Sequence, residues 1–394
     1  MPRERTLDGI VILDLSQFIS GPWGSKFLAD QGAEVIKVES PGFGETMRTF
    51  IIFDKQIAPL FTIINRNKKS ITLNLRTLEG QEILKDLVKY IDVLLENFTP
   101  GTMEKWDLGY KNLKKINPRL IYAAISGFGQ TGPLRNRTAF DIIAQATSGT
   151  INAMQLDGPP GIPLADYSAG HLIALGIVEA LYWREKSGKG QFIDLSMQDM
   201  MYSVNIRAQT REFIDKAKER KLTGSRWIPT YNQYPTKDGR RIAIVSVTEK
   251  QFKRLMHIID HPELARDHRL KNPVKRMDNI EFLDEILEAW TKTKTLEQII
   301  KILEKNRIPC GPVMTIEEVH NLPQLEARGM YIRNFKFEGV EKATIPGPVL
   351  KFSETPGFIE RRDPNLGQHN KEIYEDLLGY SPEMLQNWKR KGII

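Results

Sequence analysis

Asp166 stands where an acidic side chain can take part in covalent chemistry. It comes just before a strongly apolar helix that is predicted to run to about Lys186, and glycine-rich sequence precedes it. The dipole and free N–H groups of a helix N-terminus stabilise a nearby carboxylate in its charged form. One interpretation is that Asp166 or Ser168 only caps this helix. The other is that Asp166 is a carboxylate nucleophile.

A carboxylate nucleophile suits a narrow range of reactions. With an unperturbed pKa of about 3.9, an Asp side chain is ionised at neutral pH and needs no general base. It is a weak nucleophile, so it favours activated acyl groups such as thioesters, and the mixed anhydride that results is itself reactive. The sequence contains no Gly-x-Ser-x-Gly elbow that would favour a serine nucleophile instead.

Cations and amides follow several predicted strands. Residues 65–70 contain Arg66, Lys68 and Lys69, which form either a solvated turn or a clamp for phosphates. Ligands of doubly wound sheets bind beyond the carboxyl ends of the strands. Four residues beyond these strand ends supply hydrogen-bond donors, an aromatic ring and positive charge: Arg76, Asn97, Phe98 and Lys105. This set favours a phosphorylated ligand with an aromatic part.

Two other kinds of site are disfavoured. Gly127, Gly129 and Gly132 match the spacing of a dinucleotide-binding loop, but Pro133 follows and no helix is predicted to open there. His257 and His261 have a helical metal spacing, but Pro262 ends any helix and no Glu lies between them as in a zincin. We therefore expect a tight-turn loop and no metal.

Alternating strands and helices must position these side chains. Such βαβ units predict a parallel sheet covered by helices. Near Lys216 the pattern changes, and a smaller, mainly helical domain is predicted to follow. The predicted strands of the first region are residues 9–15, 34–39, 70–75, 92–96, 120–126 and 191–195.

Composition excludes further classes. The 394 residues are 41% hydrophobic and 27% charged, which is typical of a globular protein and predicts two domains. The net charge of +7 comes from scattered charges, which favours a small polyanion over nucleic acid. A single Cys310 excludes an intrachain disulfide, and the apolar stretch Leu172–Trp183 is short for a bilayer. We expect a cytoplasmic protein with no membrane segment.

An ordered set of motifs resembles the class III CoA transferases, the family of formyl-CoA transferase, carnitine CoA-transferase and the α-methylacyl-CoA racemases. The set runs nearly end to end, which makes it far more specific than any one motif. It comprises residues 7–14, 21–22, 32–39, 67–75, 96–101, 126–133, 141–146, 188–191, 197–199, 308–312, 323–329 and 377–380.

The resemblance implies roles for particular residues. Asp166 falls on the family's nucleophile, in the loop before the apolar helix, and Asp141 falls on an acid that supports it. Neither a metal nor a redox cofactor is implied. The positions that match the family's contacts to coenzyme A are Ile19, Ser20, Leu73, Asn74, Leu75, Arg76, Asn97, Phe98 and Lys105.

The chain also departs from the branches of this family. The formyl-CoA branch has an arginine in place of Ser40, a lysine in place of Thr138, and a run of glycines that is missing around residues 245–251. The racemase branch has a histidine in place of Phe140. A racemase needs two acid/base groups on opposite faces of the α-carbon, and a phenyl ring carries no proton. Transfer is therefore favoured over racemisation.

The resemblance implies a Rossmann-like α/β large domain with a parallel sheet, interrupted by an inserted smaller α/β domain. The expected boundaries are 1–222 and 326–394 for the large domain and 223–325 for the small one. An interlocked homodimer is expected. The expected function is an enzyme that moves CoA from an acyl-CoA donor to a carboxylic acid acceptor; a racemase and a non-catalytic CoA-binding protein remain as alternatives.

Overall fold

A computed structural model describes residues 5–49, 58–210, 228–337 and 340–394 of the chain. The chain divides into two units, one of residues 1–152, 156–209 and 324–394 and the other of residues 153–155 and 210–323. The first unit resumes two residues before the predicted return at 326. The other predicted boundary, between residues 222 and 223, lies outside the described residues.

A six-stranded sheet organises the first unit. Every neighbouring pair of its strands is parallel, and the order along the sheet is β3-β2-β1-β4-β5-β6. This is the order of a Rossmann sheet, in which the winding direction reverses between β1 and β4. The expected α/β fold with a parallel sheet is confirmed. The strands are β1 (Val11–Asp14), β2 (Glu34–Glu39), β3 (Lys69–Thr72), β4 (Val93–Glu96), β5 (Ile121–Ser126) and β6 (Phe192–Ser196).

Successive residues of the central strands enter opposite hydrophobic cores. In β4, Leu94 joins one core, whereas Val93 and Leu95 join the other. Because side chains alternate along a strand, both faces of the sheet are buried. The apolar runs of the sequence reflect this double burial.

Helices cover both faces of the sheet. Several begin at a side-chain cap: the hydroxyl of Thr77 accepts the N–H of Gly80, and that of Ser196 accepts the N–H of Asp199. The helices before residue 210 are α1 (Ser20–Asp30), α2 (Pro59–Asn65), α3 (Leu78–Leu87), α4 (Thr102–Lys105), α5 (Tyr110–Ile116), α6 (Asp141–Thr147), α7 (Thr150–Met154), α8 (Leu164–Ser187), α9 (Met197–Val204) and α10 (Ile206–Gln209).

The second unit has its own sheet and core. Its strands β7 (Asn232–Pro235), β8 (Arg241–Ile244) and β9 (Cys310–Pro312) form an antiparallel sheet. Amphipathic helices pack on it around Phe252, Leu287 and Ile299. The described helices of this unit are α11 (Glu249–Ile258), α12 (Pro273–Asp278), α13 (Ile280–Thr291), α14 (Leu296–Lys305) and α15 (Ile316–His320).

The C-terminal segment closes the free edge of the large sheet. It contains α16 (Pro323–Ala327), the hairpin β10 (Tyr331–Phe337) and β11 (Val340–Pro346), a π-helical turn (Glu372–Leu377) and α17 (Pro382–Arg390). His369 donates its backbone N–H to the carbonyl of Ser70 and accepts the Ser70 N–H at its ring Nδ1. Asn370 and the hydroxyl of Tyr374 bond the backbone of Thr72. Side chains thus occupy the hydrogen-bonding edge of β3 that a seventh strand would otherwise use.

A buried ion network holds the turn between β1 and α1. Asp14 is fully buried and accepts hydrogen bonds from the backbone and hydroxyl of Ser16, from the hydroxyl of Ser25 and from Lys68 Nζ at 3.0 Å. Lys37 Nζ donates to the carbonyl of Ser16 and lies 2.5 Å from the carboxylate of Glu45.

The network changes the protonation of its members. Burial acts to raise the pKa of Asp14, but Lys68 and Lys37 outweigh it, so that the pKa lies below its ordinary value. Burial lowers the pKa of Lys68 to about 8 even though Asp14 opposes this. The charged pair is retained because each partner offsets the cost of burying the other.

α8 is the one described helix that is long and apolar enough to cross a membrane by length and composition. It packs on β5, β6 and α1, which identifies it as a helix of the α/β core. One face stays exposed, however, and carries Leu175, Val178, Tyr182 and Trp183.

The Asp14–Lys68 pair yields a prediction of stability. Replacing Lys68 by methionine leaves a buried carboxylate without its cation, and we expect a loss of about 3–5 kcal/mol in the free energy of unfolding, measured by denaturant titration. The control is Lys89→Met, which removes an exposed lysine paired with Asp86 and is expected to have little effect. Equal losses in the two variants would contradict this account.

Candidate active site

A cavity of about 260 Å³ opens at the carboxyl edge of the large sheet. The loops that follow β1, β4 and β5 form most of its wall, so it lies at the reversal of winding where ligands of such sheets bind. Its charged side chains are Arg137 and Asp166. The residues that line it are Gln17, Phe18, Ser20, Asn97, Phe98, Thr99, Pro100, Ile125, Ser126, Gly127, Arg137, Thr138, Ala139, Phe140, Asp166 and Met197.

Asp166 lies in the first turn of α8, not in the loop before it. The helix begins at Leu164, so the prediction of a loop position is wrong by about three residues. The first turn fixes the backbone of Asp166 and aims a half-buried carboxylate at the cavity wall. A side chain on a regular helix is positioned more precisely than one on a loop.

Asp141, the first residue of α6, caps α8 from outside. Its Oδ1 accepts the backbone N–H of Ala165 at 2.8 Å and that of Asp166 at 3.2 Å. Pro163, the N-cap residue of α8, makes no side-chain cap bond. The interpretation that Asp166 or Ser168 caps the helix is therefore wrong. The same bonds occupy the two N–H groups that the helix start would otherwise offer to an oxyanion.

The environment of Asp166 makes its proton harder to lose. Burial, and secondarily the negative charge of Asp141, raise the pKa of Asp166 to about 7. Among the described residues, no cation lowers the pKa of Asp166, whereas Lys68 and Lys37 lower that of Asp14. A buried carboxylate whose charge is not offset by a nearby cation is more basic and more nucleophilic than a solvated one.

The predicted residues Ser20, Asn97 and Phe98 meet in the cavity wall. Asn97 bridges two loops, because its side chain accepts the N–H of Gln17 and donates to the carbonyl of Gln17 and the hydroxyl of Ser20. The ring of Phe98 packs edge-on against Trp106. Ile19 is half-buried and lies directly before Ser20.

The other residues predicted to contact CoA lie outside this cavity. Leu73 and Leu75 are buried in the core, and Asn74 bonds the backbone of Gly392 and Ile393. Arg76 and Lys105 are exposed after β3 and in α4. All of these residues follow the carboxyl ends of their strands, but the structure does not gather them into one pocket with Asp166.

The three cations around the start of β3 are structural. Arg66 forms an ion pair with Asp30, Lys68 with Asp14, and Lys69 with two carboxylates, and all three cations are buried. A side chain that is buried and paired offers nothing to a ligand phosphate. Both interpretations of residues 65–70, a solvated turn and a phosphate clamp, are therefore wrong.

Two features of the site escaped the sequence interpretation. Glu96, at the end of β4, is buried and accepts the Phe98 N–H at 2.7 Å, which fixes the turn that carries Asn97; burial raises its pKa to about 8. The hydroxyl of Ser126, at the end of β5, lines the cavity region and has no hydrogen-bond partner among the described residues. A polar residue at the end of a buried apolar strand was the available signal.

Phe140 occupies the position where the racemase branch has a histidine. Its ring is 63% exposed, lines the cavity and packs edge-on against Phe18, with 5.5 Å between ring centroids. The ring shapes the cavity next to Asp141 but exchanges no proton. The following residue, Asp141, is bonded to the start of α8 and to Gln145.

The glycine-rich loop lacks the geometry of a dinucleotide-binding loop. Gly129 and Gly132 have positive φ, and no described helix begins between them and Asp141, as a dinucleotide loop would require. Within the described ranges there is no group of three or more His, Cys, Asp or Glu residues that could hold a metal ion.

Comparisons with known proteins match nearly the whole chain. The family model described as CoA-transferase family III matches residues 7–370. Succinyl-CoA--D-citramalate CoA-transferase of Chloroflexus aurantiacus is 37% identical, with 99% of this chain and 98% of that protein covered. Acetyl-CoA:oxalate CoA-transferase of Acetobacter aceti is also 37% identical, over 88% of this chain and 89% of its own length.

A solved structure matches the fold at similar extent. The crystal structure of Rv3272 from M. tuberculosis superposes with a TM-score of 0.83 at 28% identity and covers 93% of this chain and 99% of its own. The resemblance seen in the sequence motifs is confirmed. With a family model and full-length relatives in agreement, the chain belongs to CoA-transferase family III.

Proposed function

We propose that this protein transfers CoA from an acyl-CoA to a free carboxylic acid through covalent intermediates on Asp166. The observation that carries the proposal is a basic carboxylate, on the first turn of α8, in the wall of a cavity at the carboxyl edge of the sheet. Its raised pKa suits attack on a thioester, and the family relatives are CoA-transferases.

The proposed reaction has four acyl-transfer steps. Asp166 attacks the donor thioester carbonyl, the C–S bond breaks, and a mixed anhydride and CoA thiolate form. The thiolate attacks the aspartyl carbonyl of the anhydride and releases the donor acid, which leaves an aspartyl-CoA thioester. The acceptor carboxylate attacks that thioester and expels the thiolate. The thiolate then attacks the acceptor carbonyl, which releases the new acyl-CoA and restores Asp166.

The cavity supports particular substrates. Arg137 is the cationic side chain among the lining residues, so a second carboxylate on a substrate would find a partner there. The two relatives are named for succinyl-CoA with D-citramalate and for acetyl-CoA with oxalate. We infer that dicarboxylic acids are among the donors or acceptors of this protein.

Racemisation is less well supported than transfer. Phe140 provides no second acid/base group beside Asp141, and its ring is held against Phe18. Release of deuterium from the α-carbon of an acyl-CoA without an acceptor acid would reverse this preference.

The exposed apolar face of α8 supports the expected homodimer. Leu175, Tyr182 and Trp183 are each more than half exposed on this face, more apolar surface than one solvated helix face ordinarily carries. We propose that a second copy of this chain covers it in a cytoplasmic dimer. Sedimentation is expected to give a dimer that Tyr182→Glu combined with Trp183→Glu weakens; a wild-type monomer would refute this.

Removing the nucleophile tests the proposed reaction. We expect Asp166→Asn to lower kcat by at least about 10³-fold while CoA still binds, because the amide cannot form the anhydride. The assay is a screen of acyl-CoA donors, succinyl-CoA first, against pooled carboxylic acids, with new CoA thioesters detected by mass spectrometry. Hydroxylamine is expected to trap an adduct at Asp166 in the wild type alone. Near wild-type turnover of the variant would exclude the mechanism.

The raised pKa of Asp166 predicts a pH profile. The carboxyl group is increasingly protonated as the pH falls below 7, and only the carboxylate attacks, so kcat is expected to rise through a pKa near 7 as the pH increases. Asp141→Asn removes the like charge, which lowers the pKa of Asp166 and moves this rise to lower pH.

The Asp141→Asn change keeps the cap of α8 but alters the contact with Gln145. The new amide oxygen can still accept the N–H groups of Ala165 and Asp166, whereas the new NH₂ group replaces the oxygen that accepts Gln145 Nε2, so the Gln145 amide must rotate to present Oε1 to it. A rise at unchanged pH in this variant would show that Asp141 does not set the protonation of Asp166.

A further inference from the structure

Gln145 has a fully buried side-chain amide behind the start of α8. It lies on α6, one turn after Asp141, and its exposed fraction is 0%. Its Nε2 donates to Asp141 Oδ2 at 2.7 Å and makes a longer contact of 3.4 Å with the carbonyl of Ile162. Gln145 does not line the cavity, so no substrate contact explains its presence.

The orientation of this amide follows from its neighbours. A carboxylate oxygen and a backbone carbonyl both accept hydrogen bonds, so the NH₂ group must face them. The amide oxygen then points the other way, where Oε1 is buried with no partner among the described residues. Rotating the amide would place an acceptor against two acceptors.

A buried amide oxygen without a partner destabilises the fold. An unsatisfied group of this kind lowers the stability of the folded state, whereas an apolar side chain of similar size would avoid that cost. Stability alone therefore does not explain a glutamine here. What an apolar side chain lacks is the N–H donor that holds Asp141.

Three N–H donors converge on the carboxylate of Asp141. Oδ1 accepts the backbone N–H groups of Ala165 and Asp166, and Oδ2 accepts Gln145. The carboxylate has no rotational freedom left, so the distance between its charge and the carboxyl group of Asp166 is fixed. A chain of contacts therefore runs from Gln145 through Asp141 to the backbone and the charge of Asp166.

We propose that Gln145 is a positioning residue for Asp166, acting through Asp141; this rests on the proposed function of Asp166. Gln145 orients the Asp141 carboxylate, which anchors the first turn of α8 and sets the protonation of the nucleophile. Gln145 touches neither substrate nor reacting atoms.

Two substitutions separate this role from packing. Gln145→Met keeps the volume but has no donor, and we expect kcat to fall at least 10-fold with the KM for acyl-CoA changed by less than twofold. Gln145→Glu keeps a donor only while the new carboxyl group is protonated. Its ionisation beside Asp141 adds repulsion, so we expect kcat to fall again at high pH and give a bell-shaped profile that the wild type lacks.

A control residue, Gln198 on α9, contacts the other end of the same helix. Gln198 donates its Nε2 to the carbonyl of Thr147, at the C-terminal end of α6, and has no contact with Asp141. Gln198→Met also removes one glutamine amide that bonds α6, and it is expected to leave kcat and the pH profile unchanged.

Amide hydrogen exchange provides a measurement that needs no substrate. In Gln145→Met, exchange at the N–H groups of Ala165 and Asp166 is expected to be faster than in the wild type, since their acceptor is no longer held. Wild-type exchange and kcat in this variant, or a wild-type pH profile in Gln145→Glu, would overturn the proposal.

The two proposals can fail separately. A wild-type protein that transfers no CoA, with exchange still faster in Gln145→Met, would refute the function of Asp166 but support the positioning of the helix start. An active wild type with both Gln145 variants unchanged would refute the positioning role alone. If Gln145→Met does not fold, the pH profile of Gln145→Glu decides.

Discussion

The carboxylate of Asp14 is buried at the end of β1, and the shape of the site depends on how that charge is compensated. Lys68 reaches it from the start of β3, and Ser25 reaches it from α1. These bonds join β1, α1 and β3 at one point beneath the turn of residues 15–19. Because these bonds fix the turn, the side chain of Asn97 can hydrogen-bond to the backbone of Gln17 and form part of the cavity wall. A buried ion pair contributes little net stability, but it allows few alternative arrangements.

Two aspartates of the same unit show opposite uses of burial. Cations and hydroxyl groups surround Asp14, so its charge is stabilised and its pKa lies below the ordinary value. Asp166 faces another carboxylate, so burial and repulsion raise its pKa. The first group holds the fold, whereas the second is the nucleophile that we propose. Environments that push the protonation of like groups apart are typical of active sites.

The sequence predicted the central strands well because β1, β4 and β5 are short apolar runs buried on both faces. β2 was predicted at its observed bounds, and Asp166, Ser20, Asn97 and Phe98 were predicted near the site. The errors concern partners that are distant in the chain. The cap of α8 comes from Asp141, 24 residues before Ala165, and Lys68 pairs with Asp14 at a separation of 54 residues. Local patterns show a helix start or a cation, but the partner that determines its role is set by the tertiary fold.

The covered edge of β3 has a consequence for synthesis. The side chains that bond Thr72 belong to residues about 300 positions later in the chain. At a translation rate of about 5–20 residues per second, that interval lasts roughly 15–60 s. During this time β3 presents unpaired backbone groups on the nascent chain. The edge of β3 is covered only when the last part of the chain has been made, so until then it is open to pairing with other strands.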